Sequence, residues 1–278
     1  ELGLDPAQVP SWKKIDDVLI AAPNGTVRSF PLPRNRGQFA AITRRRVLDV
    51  ALVDLARNAG AAVCETRPVE AVSQSTDRVT VSAGSQIYQA KFALAADGMW
   101  SPTRKLLGLA EPEYRGDWHA FRQYFRNVAT TAAQQLIVWF EPDLLPGYFW
   151  SFPLADGSAN VGFGIQRGAG PSVQDMKRLW PELLQRPHIR DFLGPAAEPE
   201  DRHTAWPIPA RLGATPLTAK RVFFVGDAAT ATDPMTGEGI GQAIETGRLA
   251  ARTIADSGSG IGAAEAAARS YERELRLG

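Results

Sequence analysis

The chemistry-bearing residues with the most distinctive spacing lie between 226 and 243, in the stretch GDAATATDPMTGEGIGQA. Asp227 ends the apolar run RVFFVGD, which is typical of a buried strand. Three alternating glycines then precede residues with helical periodicity, so a helix is predicted to begin between Gly237 and Gly241. A carboxylate at a strand exit accepts hydrogen bonds from sugar or polyol hydroxyls and repels a bare phosphate. The pattern predicts a site for a hydroxyl-rich ligand, although an ordinary strand-to-helix turn capped by Asp227 also fits it.

A second strand exit of the same kind lies 130 residues earlier, at Asp97 and Gly98. There the segment FALAADGMWSPTR ends an apolar run with this Asp-Gly pair. Ser101 and Pro102 follow, a combination typical of the N-cap and first residue of a helix. The second exit therefore predicts a strand, a loop and a short helix.

The elements around the two exits indicate one domain interrupted by another. Residues 1–109 carry a predicted β-hairpin at 16–33, a helix that ends at Gly60 and a small antiparallel meander. Residues 110–212 contain long aromatic-rich strands, which predict a mostly antiparallel sheet, and residues 213–278 return to the first domain. We expect a ligand in the cleft between the two domains.

Other helices are predicted from periodicity and from helix-breaking residues. The segment VQDMKRLWPELLQRPHIRDFL predicts one or two helices broken near Pro181 and Pro187. Residues 256–262, DSGSGIG, are typical of a flexible linker. The last segment, AAEAAARSYERELRLG, predicts an amphipathic helix that is solvated or packs on its own domain.

Composition excludes several classes of protein. The 278 residues carry a net charge of +1, which gives no reason to expect a nucleic-acid partner. Cys64 is the only cysteine, so disulfides within the chain are excluded, and we interpret it as a buried structural thiol. His119, His188 and His203 lack metal-ligand spacing, and His119 is predicted to be a satisfied sheet residue. No apolar run reaches the length of a membrane span. The single cysteine fits a reducing, cytoplasmic setting.

The two exits together resemble the second and third FAD motifs of the flavoprotein superfamily that includes p-hydroxybenzoate hydroxylase. The resemblance implies an α/β (α+β) fold, in which an FAD-binding domain is interrupted by an antiparallel β-sheet substrate domain. It also implies that Asp227 holds the ribityl hydroxyls and that the helix N-terminus stabilises the reduced flavin anion. The cofactor-binding residues that it implies in these motifs are Asp97, Gly98, Gly226, Asp227, Pro234, Gly237, Gly239 and Ile240.

An arginine that follows the hairpin also contacts FAD in that superfamily. The spacing R-x-x-x-D in RRVLD makes Arg45 the matching residue, with Arg44 and Arg46 as neighbours that could be confused with it.

Within that superfamily, residues 146–165, PGYFWSFPLADGSANVGFGI, resemble the geranylgeranyl reductase family. The matching positions are Tyr148, Trp150, Phe152, Pro153, Asn160 and Gly162. Alternate residues of a strand share one face, so the three aromatic side chains would form a wall against which a polyprenyl chain lies. Core packing of a sheet explains the same residues without a ligand.

The resemblance implies an FAD-dependent enzyme that takes electrons from NADPH, NADH or ferredoxin and saturates C=C bonds of a geranylgeranyl or other polyprenyl chain. Reduced flavin would deliver a hydride to one carbon, and a proton would reach the other; Tyr148 is the candidate proton donor. Archaeal-type lipids, chlorophyll side chains and menaquinone tails all remain open as substrates. Such substrates imply transient contact with a membrane surface; the oligomeric state is left open.

Two parts of the family pattern are missing from the sequence. There is no G-x-G-x-x-G unit for the FAD pyrophosphate, because GSGIGAA at 258–264 and GEGIGQA at 237–243 have other spacings. The Cys-Gly pair beside the flavin is also absent. The chain begins without Met, and we expect that about sixty residues of a longer protein precede it.

These departures keep two alternatives open. One is a flavin-dependent monooxygenase or halogenase on the same scaffold; halogenases carry W-x-W-x-I-P where this chain has YFWSFP, with Tyr148 at the first Trp. The other is a non-catalytic protein that keeps a lipid cleft and holds no flavin.

Overall fold

The computed structural model describes residues 2–34, 39–258 and 262–277. Its strands are β1 (Lys13–Lys14), β2 (Asp17–Ala21), β3 (Val27–Pro31), β4 (Ala41–Ile42), β5 (Val69–Gln74), β6 (Val79–Ala83), β7 (Gln86–Ala90), β8 (Ala93–Ala95), β9 (Trp118–Arg126), β10 (Leu136–Trp139), β11 (Tyr148–Pro153), β12 (Ala159–Gln166), β13 (Glu198–Pro199), β14 (Thr204–Ile208), β15 (Thr218–Ala219) and β16 (Val222–Phe224). Its α-helices are α1 (Arg45–Asn58), α2 (Pro102–Leu106), α3 (Thr130–Gln134), α4 (Met176–Leu184), α5 (Pro187–Leu193), α6 (Ile240–Asp256) and α7 (Ala263–Leu277). Of the predicted linker, residues 259–261 lie outside the described residues.

The chain divides into two compact units. The first unit combines Glu1–Val63 with His119–Trp206, and the second combines Cys64–Trp118 with Pro207–Gly278. This division differs from the predicted boundaries, which assigned all of residues 1–109 to one domain. The reason is that β2 pairs in parallel with β10, so the N-terminal hairpin extends the sheet of the first unit.

The first unit is built on an eight-stranded sheet. The order is β13-β9-β12-β11-β10-β2-β3, and β14 pairs with β9. Strands β10, β11 and β12 are antiparallel neighbours, as the aromatic-rich segments predict, whereas the β2–β10 pairing makes the sheet mixed. The predicted hairpin is present, and Gly25 in its turn has a φ of +82°.

The core of the first unit lies between this sheet and two helices. Phe149 and Phe163 face each other across β11 and β12 with no exposed surface, and the Trp180 ring of α4 stacks on both of them. The predicted break at Pro181 is wrong, because Pro181 lies inside α4 and the buried side chains around it keep the helix docked. The break occurs before Pro187, which is the first residue of α5.

The second unit contains two three-stranded sheets, β5-β6-β7 and β15-β16-β8. The first is the predicted meander. In the second, β16 is parallel to β8, and all three of its residues are fully buried. Helix α7 packs on this strand through Tyr271, whose hydroxyl donates to the Phe224 carbonyl at 2.7 Å.

Cys64 is exposed, so its interpretation as a buried thiol is wrong. Helix α1 ends at Asn58, Gly60 adopts a φ of +94°, and the chain then continues through exposed residues as far as 71. The short apolar run before Cys64 therefore never enters a core. Within the described ranges, no helix is both long and apolar enough to cross a bilayer.

Replacing Tyr271 by Phe should lower the free energy of unfolding by about 1 kcal/mol, because the buried Phe224 carbonyl loses its donor. Burial also raises the pKa of the Tyr271 phenol above its ordinary value. The phenol therefore stays protonated up to a higher pH in the folded state than in the unfolded state. This difference stabilises the protein below about pH 10, and the stabilisation is lost as the pH rises further.

Urea unfolding from about pH 8 to about pH 11 measures both effects. The alkaline loss of stability should be smaller in Tyr271→Phe than in the wild type. An equally steep loss in Tyr271→Phe would contradict the assigned role of the buried phenol.

Candidate functional site

The two strand exits found in the sequence lie side by side in the second unit. Phe224 is the register partner of Ala95 in the parallel pair, and the Val225 N–H donates to the Ala95 carbonyl at 3.1 Å. Because parallel strands end at the same edge of a sheet, the loops that follow them share that edge. The fold thus brings together two motifs that are far apart in the chain.

Gly226 allows the loop after β16 to lie against α6. Its φ is +56°, and a Cβ there would be 3.1 Å from the Cβ of Ala243. Its N–H donates to the buried Thr246 hydroxyl at 2.9 Å. A larger residue would push the loop away from the helix, so the Gly in this Gly-Asp pair is required by close backbone approach.

Asp227 is half-buried and lies near the N-terminus of α6. Its Oδ1 accepts a hydrogen bond from the Thr232 hydroxyl at 3.3 Å. A Cβ on Gly239 would lie 3.6 Å from this same oxygen and 3.3 Å from the Thr232 hydroxyl. The carboxylate, the hydroxyl and the glycine therefore converge on one small space.

The loop between these residues and α6 is held by its own hydrogen bonds. The Asp233 carboxylate accepts from the N–H of Thr236 at 2.6 Å and from that of Met235 at 3.0 Å. These bonds, with the Thr236 hydroxyl, lower the pKa of Asp233. Pro234 is exposed on this loop, and Gly237 has a φ of +71°.

The N-terminus of α6 binds a carboxylate oxygen. The N–H groups of Ile240 and Gly241 donate to Oε1 of Glu238 at 2.7 and 2.9 Å. Sequence reasoning missed Glu238, although an acidic residue just before a helix is a usual sign of capping. These two N–H groups thus bind a negatively charged oxygen. Stabilising negative charge is the role that the resemblance implies for the N-terminus of this helix.

In the second motif, the Asp97 side chain caps α2. Its two oxygens accept from the Ser101 hydroxyl at 2.6 Å and from the Thr103 N–H at 2.8 Å. Ser101 is the predicted N-cap and accepts from the Arg104 N–H at 3.1 Å. Gly98 has a φ of +78° and open space around it. Contact of Asp97 and Gly98 with a cofactor remains a prediction.

Arg104 connects the two motifs and was not found from the sequence. It is only 8% exposed, and it donates to the carbonyls of Ala228 at 2.7 Å and Pro216 at 2.9 Å. Its guanidinium lies 4.0 Å from the centre of the Phe224 ring. Burial lowers the pKa of the Arg104 guanidinium. The residue fixes the backbone next to Asp227.

The three predicted substrate-binding aromatics lie in the first unit, on one face of β11. The ring of Trp150 is 5.8 Å from that of Tyr148 and 5.7 Å from that of Phe152. Phe149 and Ser151 point to the opposite face and are fully buried. The aromatic face is therefore separate from the sheet's helix-covered core.

A cross-strand match explains the spacing of this sequence signature. Trp150 lies opposite Gly162, where a Cβ would be 2.5 Å from the indole ring, and its Nε1 donates to Asn160 at 3.4 Å. The N-x-G segment thus makes room for the indole and holds its N–H.

The arginines at the start of α1 also lie in the first unit. Arg45 is exposed and pairs with Asp49 at 3.2 Å, so the R-x-x-x-D spacing forms an ion pair along the helix. Arg44 is less exposed and contacts Asp156 at 2.9 Å and Glu200 at 2.7 Å. The role of Arg45 toward FAD therefore stays a prediction.

His119 is bound within its sheet. Its Nδ1 accepts from Arg167 at 2.9 Å, while burial and the Arg167 charge lower the pKa of the imidazole. A hydrogen-bonded residue within the sheet is what the sequence predicts for His119.

Solved structures share this fold. A geranylgeranyl bacteriochlorophyll reductase-like protein from Thermoplasma acidophilum superposes with a TM-score of 0.80 at 22% identity, over 99% of this chain and 69% of its own. The flavin-dependent halogenase CmlS gives a TM-score of 0.76 at 21% identity, over 99% and 54%. The predicted α/β fold with an FAD-binding domain is confirmed.

The sequence matches the same class of protein. The FAD binding domain family model matches residues 33–277, and the chain belongs to that family. A digeranylgeranylglycerophospholipid reductase from Methanoculleus marisnigri is 28% identical over 283 residues, which is 96% of this chain and 67% of the relative. The predicted resemblance to FAD-dependent oxidoreductases of the geranylgeranyl reductase type is confirmed.

The second unit contains groups that fit parts of FAD. The Asp227 carboxylate is an acceptor suited to ribityl hydroxyls, and the glycines at 226 and 239 leave space that a Cβ would fill. The Ile240 and Gly241 N–H groups hold the Glu238 carboxylate, so an acceptor atom of the cofactor would have to replace that carboxylate at the N-terminus of α6.

Proposed function

We propose that this chain belongs to an FAD-dependent reductase that saturates C=C bonds of a geranylgeranyl or other polyprenyl chain. The observation that carries the proposal is the convergence of Asp227, Gly239 and the α6 N-terminus beside the second strand exit. The archaeal relative, whose name gives a digeranylgeranyl glycerophospholipid as substrate, supports the choice of a polyprenyl chain.

When bound, FAD supplies the hydride for such a reduction. Asp227 orients the cofactor by accepting hydrogen bonds from ribityl hydroxyls. The Ile240 and Gly241 N–H groups stabilise negative charge at the N-terminus of α6. Arg104 keeps the Ala228 carbonyl, and with it the loop that carries Asp227, in place.

The aromatic face of β11 binds the hydrocarbon chain. An isolated alkene has no carbonyl to polarise, so the protein must orient it and exclude water rather than activate it. Tyr148, which is half-buried on this face, is the candidate proton donor. NADPH, NADH or ferredoxin is the electron donor, and the protein is cytoplasmic with transient contact to the membrane that holds the substrate.

The visible absorption spectrum tests the cofactor first. The purified chain, titrated with FAD and then reduced with dithionite, should show a bound flavin band that bleaches. If the protein binds no flavin, this proposal fails for the chain. With flavin bound, an anaerobic assay should show reduction of a geranylgeranyl compound, whereas oxygen-dependent products from an aromatic substrate would indicate a monooxygenase or halogenase instead.

Replacing Trp150 by Ala should lower polyprenyl reduction by about tenfold or more while flavin stays bound, because the widest part of the aromatic face is removed. Activity and the flavin-to-protein absorbance ratio are measured on the same sample. Trp206, an exposed tryptophan of the same unit, provides the matched control, and Trp206→Ala should retain both values. Loss of flavin in Trp150→Ala would assign Trp150 to structure rather than to substrate binding.

A further inference from the structure

Arg122 of β9 lies on the same face of the sheet as the aromatic residues of β11. Its neighbours point to the other face: the ring of Phe121 is 5.4 Å from that of Trp180, and the Gln123 side chain accepts from the Trp180 Nε1 at 3.1 Å. Because side chains alternate along a strand, Arg122 points away from this helix-covered core. Its contact with the ring of Tyr124, two residues further along β9, agrees with this placement.

The Arg122 side chain leaves its strand close to the Trp150 indole. Strand β12 separates β9 from β11, and its Gly162 has no side chain to fill the gap between them. A Cβ on Gly162 would lie 2.5 Å from the Phe121 carbonyl oxygen, which belongs to the peptide bond before Arg122, and 2.5 Å from the Trp150 ring. The indole therefore lies over β12, next to the point at which the Arg122 side chain begins.

The Arg122 guanidinium has no acceptor among the described residues. Its close contact there is the Tyr124 ring, whose centre is 4.9 Å away. Arg44 and Arg126, which lie near the same strand, each form an ion pair with a carboxylate. Arg122 is only partly exposed, so its charge is partly withdrawn from water without such a partner. A cation in this situation favours an anion that a ligand supplies.

Tyr124 holds this guanidinium in position. Its ring centre is 4.7 Å from the Arg44 guanidinium and 4.9 Å from that of Arg122. Its backbone is fixed by the next loop, because the Glu200 N–H donates to the Tyr124 carbonyl at 2.9 Å and the Tyr124 N–H donates to the Asp201 carboxylate at 3.3 Å. Stacking on an aromatic ring leaves the N–H groups at the edge of a guanidinium available. The donor is thus oriented before a ligand arrives, which reduces the entropy lost on binding.

On the other side of Trp150 the same face is apolar. Trp150 is the register partner of Val138 in β10, and Val138 is that of Ile20 in β2. Both aliphatic side chains are half-buried, and the row covers about 10 Å from β11 to β2. It ends at Arg28 of β3, which is exposed at the edge of the sheet. A hydrocarbon chain along this row would therefore lie over β10 and β2, with its other end beside Arg122.

We propose that Arg122 binds a phosphoryl head group of the substrate, while the polyprenyl chain of the same molecule extends from Trp150 across β10 and β2. This inference rests on the proposed function and adds the substrate class to it. Substrates with a phosphate near the chain are favoured over chlorophyll side chains and menaquinone tails. Arginine suits phosphoryl oxygens because its N–H groups bind them in pairs. Only one cation is involved, so the chain contributes most of the affinity and inorganic phosphate binds weakly.

Calorimetric titration with farnesyl phosphate and with farnesol measures the contribution of the head group without turnover. The wild type should bind farnesyl phosphate about tenfold or more tighter than farnesol, because hydrogen bonds to charged groups are the stronger class. Arg122→Gln should remove this difference and leave farnesol binding unchanged, which also shows that the variant is folded. Arg122→Lys keeps the charge and should retain part of the difference.

Two other arginines provide matched controls. Arg126→Gln removes a cation of the same strand that is already paired with Glu198 at 3.0 Å, and Arg28→Gln removes the cation at the far end of the apolar row. Both variants should bind farnesyl phosphate as the wild type does. Farnesylglyceryl phosphate, in which glycerol separates the chain from the phosphate, is the second phosphate probe. Its tighter binding would assign the site to a glycerophospholipid, and tighter binding of farnesyl phosphate would assign it to a prenyl phosphate.

The proposal is overturned if the phosphates and farnesol bind equally well, if none of them binds at about 1 mM, or if inorganic phosphate binds as tightly as farnesyl phosphate. Loss of affinity in Arg28→Gln in place of Arg122→Gln would also overturn it. So would weaker FAD binding in Arg122→Gln, because the arginine would then serve the cofactor.

These results are separable from those of the proposed function. If the protein reduces no polyprenyl compound, a preference for the phosphate that depends on Arg122 still supports the inference. Reduction without such a preference would leave the proposed function intact and contradict the role of Arg122.

Discussion

Protein in which Asp227 is replaced by Ala should bind FAD between about 10-fold and about 100-fold more weakly than the wild type. The substitution removes an anionic acceptor at the exit of β16, and hydrogen bonds to charged groups are the stronger class. It also leaves the Thr232 hydroxyl without its acceptor beside Gly239. Both the contact to the ribityl chain and the local turn are therefore weakened by one change.

Flavin fluorescence quenching during FAD titration measures this effect. Asp227→Asn keeps the shape and one oxygen acceptor but loses the charge, so its affinity should lie between those of the wild type and the Ala variant. Asp256→Ala, at the exposed end of α6, removes a carboxylate from the same helix and should bind FAD normally. Equal FAD affinity in Asp227→Ala and Asp256→Ala would contradict the placement of the ribityl chain.

Local patterns in the sequence predicted the elements of the site well. The Ser101 cap, the start of α6 and the turn at Gly25 depend on residues within a few positions of each other. Capping and turn geometry are local effects, so one sequence contains the information. The parallel pairing of β2 with β10 is a contact between distant segments, and no local pattern specifies it.

The residues that sequence reasoning missed have roles set by tertiary packing. Arg104 and Arg211 resemble ordinary surface arginines in the sequence, yet one is buried under the Gly-Asp loop and the other stacks on Tyr114. Cys64 shows the opposite error. It was predicted to be buried because its neighbours in the sequence are apolar, but it lies in an exposed loop. The burial of a single residue depends on the whole fold. Hydrophobic periodicity predicts burial only within helices and strands.

The aromatic signature shows how a pattern can be recognised before its cause is known. Y-x-W-x-F and N-x-G match a family pattern in the sequence, but their coupling appears only in the register of β11 and β12. Trp150 and Gly162 are direct partners, so the largest side chain of one strand requires the smallest residue of the next. This requirement can be tested by stability alone, without cofactor or substrate.

Gly162→Ala should destabilise the first unit by about 3 kcal/mol or more, at the upper end of overpacking effects. The new methyl group would lie 2.5 Å from the Phe121 carbonyl oxygen and 2.5 Å from the Trp150 ring. The indole could move, at the cost of its bond to Asn160. The Phe121 carbonyl belongs to β9, which neighbours β12 in the sheet. It therefore cannot move without disturbing the pairing of these two strands.

Gly164→Ala is the matched control, two residues further along β12 and pointing to the same face. A Cβ there would meet its nearest atoms at 3.9 and 4.0 Å, which is ordinary van der Waals contact. Thermal unfolding followed by circular dichroism should show a loss of about 10 °C for Gly162→Ala and little change for Gly164→Ala. Equal melting temperatures would mean that β11 and β12 can separate locally, and the aromatic face would then be too loosely held to orient a polyprenyl chain.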